Sequence, residues 1–247
     1  MIYIFIAIFI ASIVHFIIGF ADAMILMPIL LIQFSILKAN ILASLYAFLM
    51  GLFILYFFRI DNKSWKAIKS EMIFVIVFYC IGTFLGFLLF KFLINNNLDL
   101  YLKHFLGMFL IFYPFLYIFF IKKIKKSFSR EKLLIPCIIL SILSGFMGIV
   151  IGVNGPPLVI YLMMRKFDRV SFIWFLQPIF MIGAFVNLIM YSTLAFKDVL
   201  YLAVFITLIS PIILFCGWGI KKMNIEINSF EYVLCLIIFI SGLLLVF

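Results

Sequence analysis

Two short stretches hold the residues that could do chemistry. The first, SGFMGIVIGVNGPPLVIYL (144–162), lies within a charge-free run from Leu133 to Met164, yet sets Gly152, Asn154, Gly155, Pro156 and Pro157 close together. A proline lacks an N–H and its ring clashes with the carbonyl four residues back, so a helix arriving from upstream must stop here. The first turn of a new helix accepts both prolines. Asn154 suits the N-cap of that helix, and Gly152 and Gly155 supply the backbone freedom of a break. Inside a membrane, the freed N–H and C=O groups must face protein, water or a ligand. A helix N-terminus carries roughly half a positive charge and free amides, so the predicted chemistry is anion binding. The donors are the amides of Gly152 to Gly155, those of Leu158 and Val159, and the Asn154 side chain. The competing explanation is close helix packing by small residues, which suits Gly145 and Gly148 better than the paired prolines of GVNGPP.

The second stretch is HFIIGFADAMILMP (15–28), with Gly19, Asp22 and Pro28. A carboxylate in a long apolar run is costly and marks function by default. Asp22 could carry a proton, bound when an anion is present and released otherwise. It could equally cap the second half-helix of its own break. His15, two turns earlier, is a relay candidate or an ordinary interior histidine. Gln177, before Pro178, reads as a pore-facing donor or a helix–helix hydrogen bond. Ser44, Ser141, Ser144 and Asn187 are further polar residues in apolar runs, and Arg165, Lys166 and Arg169 could collect anions at an entrance or form a solvated loop.

Such residues need a membrane frame. The chain has 247 residues, 68% hydrophobic and 11% charged, with a mean hydropathy of +1.38. That composition excludes a soluble domain and predicts an all-α, multi-pass protein of the cell membrane, with the lipid bilayer as its surroundings. Because apolar runs recur along the whole chain, the first is read as a span and not as a removable signal peptide. About eight apolar segments follow: 2–37, 39–58, 72–90, 104–121, 133–164, 170–196, 199–220 and 227–247. The fifth, as one helix, would be about 48 Å long and overshoot a core of about 30 Å, so it is predicted to be broken or re-entrant. The first, comparably long, is read the same way.

The basic run KKIKKSFSREK (122–132) divides the chain into two four-segment repeats, 1–121 and 133–247. Gly19 and Pro28 are spaced like Gly148 and Pro157, an offset of 129, while Gly86 and Gly219 differ by 133. These matches favour an internal duplication, parallel or inverted according to the crossings per half. Positive-inside counting puts 122–132 and RIDNKSWKAIK (59–69) in the cytoplasm, with eleven Lys and Arg on that side against eight on the other. The net charge of +10 therefore belongs to the membrane surface and not to nucleic acid. Cys80, Cys137, Cys216 and Cys235 lie in apolar runs without metal spacing, so no metal or cofactor is expected. With two histidines, no HExxH and no phosphate-binding loop, an enzyme is not indicated.

The glycine-proline segment, opening the second of two four-segment halves after a basic loop, resembles the sulfite exporter TauE/SafE family over essentially the whole chain. That resemblance implies a permease of two related halves that moves small anions, often sulfur-containing ones such as sulfite, thiosulfate or organosulfonates. The second-half motif matches at Gly145, Gly148, Gly152, Gly155 and Pro156. The first half departs, keeping Gly19 and Pro28 but placing Ala21, Asp22 and Ala23 where the family has a glycine cluster. The expected site therefore comprises Gly152, Asn154, Gly155, Pro156, Leu158, Gly19, Pro28 and Gln177, with Asp22 and His15 for proton coupling. A permease for a non-anionic solute, a membrane assembly subunit and a homo-oligomer all remain open at this point.

Overall fold

With so few polar side chains to compete for backbone groups, the chain satisfies them internally as helices, the economical solution in hydrocarbon. The computed structural model describes residues 2–119, 131–221 and 227–246. All regular structure among these is helical: α1 Ile2–Ile18, α2 Asp22–Gln33, α3 Ile36–Phe57, α4 Asn62–Asn95, α5 Asp99–Phe119, α6 Leu134–Ile151, α7 Gly155–Arg165, α8 Arg169–Lys221 and α9 Ile227–Val246. Among them, α3, α4, α5, the stretch Glu131–Ile151 and the stretch Arg169–Ala203 are long and apolar enough to cross a membrane, while Tyr3–Ile18, Asp22–Gln33 and Cys235–Val246 are shorter apolar helices.

One segment boundary shifts clearly, at the start of α4. The stretch 59–69 is not all connection, because α4 starts at Asn62, capped by Asp61, whose carboxylate accepts from the amides of Lys63 and Ser64 at 3.0 Å. At about 51 Å, α4 exceeds the core, and its basic first turns project past it. The sixth and seventh segments meet at Ala195, where the backbone leaves helical values and divides α8 into two helices close to the expected boundary. Most of the basic run, 122–130, lies outside the described residues.

Both long apolar segments are broken and fold back on themselves. The first breaks over 19–21, with Gly19 at φ 89° and Ala21 at φ 77°. Tyr3 and Ile6 of α1 share a groove with Ile32 and Gln33 at the end of α2, so the two arms run antiparallel. The second breaks over 152–154, with Gly152 at φ 73° and Pro156 and Pro157 in the first turn of α7. Tyr161 on α7 lies beside Cys137 near the start of α6, and the Ser144 hydroxyl donates to the Asn154 carbonyl across the tip.

These hairpins open at opposite ends of α3, a helix of about 33 Å. The first opens where α2 leads into Ile36. The second is held beside the start of α4, where Arg165 Nε and Nη2 each donate to Glu71 at 2.9 Å and the Tyr161 hydroxyl donates to the same carboxylate. Their tips meet in the interior, where Phe20 packs near Gly155.

Helices α4 and α6 lie backbone against backbone. A Cβ on Gly82 would stand 2.0 Å from the Ile142 carbonyl oxygen, and one on Gly145 would stand 2.0 Å from that of Tyr79. Gly145 therefore serves packing, and this close approach sets the depth at which the second tip sits.

Candidate functional site

A small cavity lies where the two tips meet, walled by α3 and α8. Its polar lining is His15, Asp22, Ser44, Asn154 and Asn187, together with Gly148 and Gly152. The space available to the centre of a water-sized sphere is about 30 Å³, enough for one or two waters. The first residues of α2 and the N-cap of α7 both border it, so two helix N-termini converge there. Asp22 and His15 are the titratable groups among the lining residues, and none of these is Lys or Arg.

The first tip carries the titratable pair. Asp22 is the first residue of α2, and the N-cap is Ala21, with no side-chain cap bond. Its carboxylate points instead to His15, with Oδ1 2.8 Å from Nδ1, an ion-pair distance without the alignment of a full hydrogen bond. A local cap thus does not explain this buried carboxylate. On its other edge, His15 Nε2 is 2.7 Å from Gln177 Nε2, which also donates to the Gly19 carbonyl at 3.0 Å. Arg169 closes the end of α1 by donating to the Ile17 carbonyl at 2.9 Å.

The second tip is uncharged and held by hydrogen bonds. Asn154 occupies the N-cap of α7, but its side chain makes no cap bond. Its Nδ2 donates to the Tyr79 hydroxyl at 3.1 Å, because its αR backbone turns the amide toward the cavity and α4. The carbonyl end of α6 is satisfied by Asn40, whose Nδ2 donates to Ile149 at 3.2 Å, and by the Tyr191 hydroxyl, which donates to the same oxygen at 2.6 Å. A Cβ on Gly152 would meet Met27 Sδ at 2.7 Å and Asn40 Oδ1 at 2.8 Å, so that position also forbids a side chain.

The expected residues divide by distance from the cavity. His15, Asp22, Gly152 and Asn154 line it, joined by Gly148, Ser44 and Asn187. Gly19 and Gln177 stand one contact behind, through His15. Gly155, Pro156 and Leu158 begin α7 as buried residues that shape the tip without lining the cavity. Pro28 lies inside α2, away from the break. The spacing that paired Gly19 with Gly148 also gives way: the glycine at positive φ in the second segment is Gly152, at an offset of 133. Arg165, a possible anion collector by sequence, is engaged by Glu71. Tyr79, Asn40 and Tyr191 gave no sequence signal, because each acts through a partner distant in the chain.

An all-helical chain with several membrane-crossing helices and two broken hairpins meeting at a buried polar cavity has the build of a membrane transporter. The family model described as Sulfite exporter TauE/SafE matches residues 4–245. The chain belongs to that family of membrane permeases. No curated protein and no solved structure matched it.

Proposed function

We propose that the protein is a cell-membrane permease for a small anion, of the size and charge of sulfite or thiosulfate, that binds between the hairpin tips and moves together with a proton. One observation carries this reading: the cavity is bordered by a carboxylate–histidine pair from one tip and by an uncharged helix N-terminus from the other. The backbone at Gly152 and Asn154 and the Asn154 side chain, which border the cavity just before α7, supply the anion donors. An ionised Asp22 would repel an anion in this low-dielectric space, and a protonated one would not. Proton and anion therefore favour each other's binding, which is reciprocal coupling.

The opposed hairpins support an inverted duplication. Asp22 and Gly155 open their second half-helices at an offset of 133, the separation of Gly19 and Gly152. Each hairpin returns to the face it enters from, so three helices cross in each half, and an odd number inverts the second. At about 30 Å³ the cavity is tighter than such an anion needs, and separation of the tips is the motion that would admit it.

Flux of labelled sulfite, thiosulfate, sulfate and acetate into proteoliposomes tests the reading. Saturable flux of one of these, reduced by Asn154→Ala in folded protein, is expected. Absence of flux for all four in folded protein would contradict it and favour a non-anionic solute or an assembly role.

A further inference from the structure

The Gln177 side chain touches two acceptors with one nitrogen. Its Nε2 lies 3.0 Å from the Gly19 carbonyl oxygen and 2.7 Å from His15 Nε2, while its Oε1 is buried with no hydrogen-bond partner. The Gly19 contact fixes the amide orientation, because a carbonyl accepts only from the NH₂ end. The remaining hydrogen of that NH₂ points at His15 Nε2, which must then be an acceptor. A neutral imidazole with an accepting Nε2 carries its proton on Nδ1, the atom 2.8 Å from Asp22 Oδ1.

We propose that Gln177 is a positioning residue that holds His15 as the neutral Nδ1–H tautomer and ties the protonation of His15 to the first hairpin tip. A second proton on His15 would place an N–H against the Gln177 NH₂. The amide would have to turn, presenting its unpartnered Oε1 to Nε2–H and releasing the Gly19 carbonyl at the positive-φ break. Asp22 from α2 is the titratable group that faces His15. Arg169, at the start of α8, stands behind on the α1 carbonyls, and the neighbouring cavity groups of α3, α6, α7 and α8 (Ser44, Asn154, Asn187) are uncharged. The link to transport rests on the proton-coupled reading above. The tautomer assignment does not.

The chain has two histidines, so His104→Gln protein labelled with ¹⁵N-histidine and reconstituted in bilayers reports His15 alone. Solid-state NMR at neutral pH should show a protonated Nδ1 and an unprotonated Nε2. Gln177→Leu should give mixed tautomers, and Gln177→Glu, which offers an acceptor to Nε2, should give protonation of both nitrogens. An Nε2–H tautomer in the parent, or a Gln177→Leu spectrum unchanged from the parent, would overturn the proposal. The spectrum requires no flux, so a negative transport assay leaves this result standing, and a wrong tautomer leaves the permease reading standing.

Discussion

The two hairpin tips solve one backbone problem with different chemistry. Each ends an incoming helix at a positive-φ glycine and starts the outgoing helix three residues later. The first then places Asp22, with His15 behind it, at the cavity. The second places Asn154 there, followed by two prolines. Under the proposed function, a titratable carboxylate and a neutral N-terminus facing each other across a small space form a site whose preference depends on a proton, whereas two neutral tips would form a fixed anion site. Their anchors differ as well. The second hairpin is pinned at its mouth by the Glu71–Arg165–Tyr161 cluster, while the first is held near its tip by Arg169 and Gln177.

The largest way to break this comparison is at the mouth of the second hairpin. Glu71→Ala leaves a partly buried guanidinium without its carboxylate and should cost about 3–5 kcal/mol, read as thermal unfolding in detergent. Next come the glycines at the breaks. Gly152→Ala combines a left-handed backbone with contacts of 2.7 and 2.8 Å and should cost about 2 kcal/mol, whereas Gly19→Ala, whose nearest contact is 3.1 Å, should cost about 1 kcal/mol. Equal losses would mean that the second tip is no more tightly seated than the first.

The smallest expected effect lies at the surface. Asp168 accepts from the amides of Val170 and Ser171 at 3.1 and 3.2 Å. Hydrogen bonds from Ser171, its side chain first, hold the Asp168 carboxyl below the usual range. Because the folded form is the better acid, this contribution is complete above the ordinary aspartate pKa and is lost as pH falls through the depressed one. Asp168→Ala should lower stability by no more than about 1 kcal/mol, and the difference from the native chain should shrink in acid, as measured by unfolding across that pH range.

The breaks were legible in the sequence because Gly, Pro and a lone carboxylate are expensive in apolar helices and therefore conspicuous. Asp22, His15, Gly152 and Asn154 were found in this way, and all four line the cavity. Segment length alone left open whether each break makes one crossing or a hairpin. The antiparallel arms answer that: Tyr3 and Gln33, far apart in the chain, border one groove, which no local pattern encodes. Tyr79 and Asn40 were missed for the same reason, since each acts only through a partner far away in the chain. Pro28 drew attention by type, but its helix tolerates it, and it stands away from the site.

The central claim is that Asp22 makes anion movement depend on a proton. It is tested most directly by flux of the transported anion in proteoliposomes, with and without an imposed pH gradient, for the native chain and for Asp22→Asn. The account predicts that the native chain accumulates anion only with the gradient, while Asp22→Asn, folded and neutral at every pH, moves anion without responding to the gradient or fails to move it. Gradient-driven accumulation that persists unchanged in Asp22→Asn would contradict it.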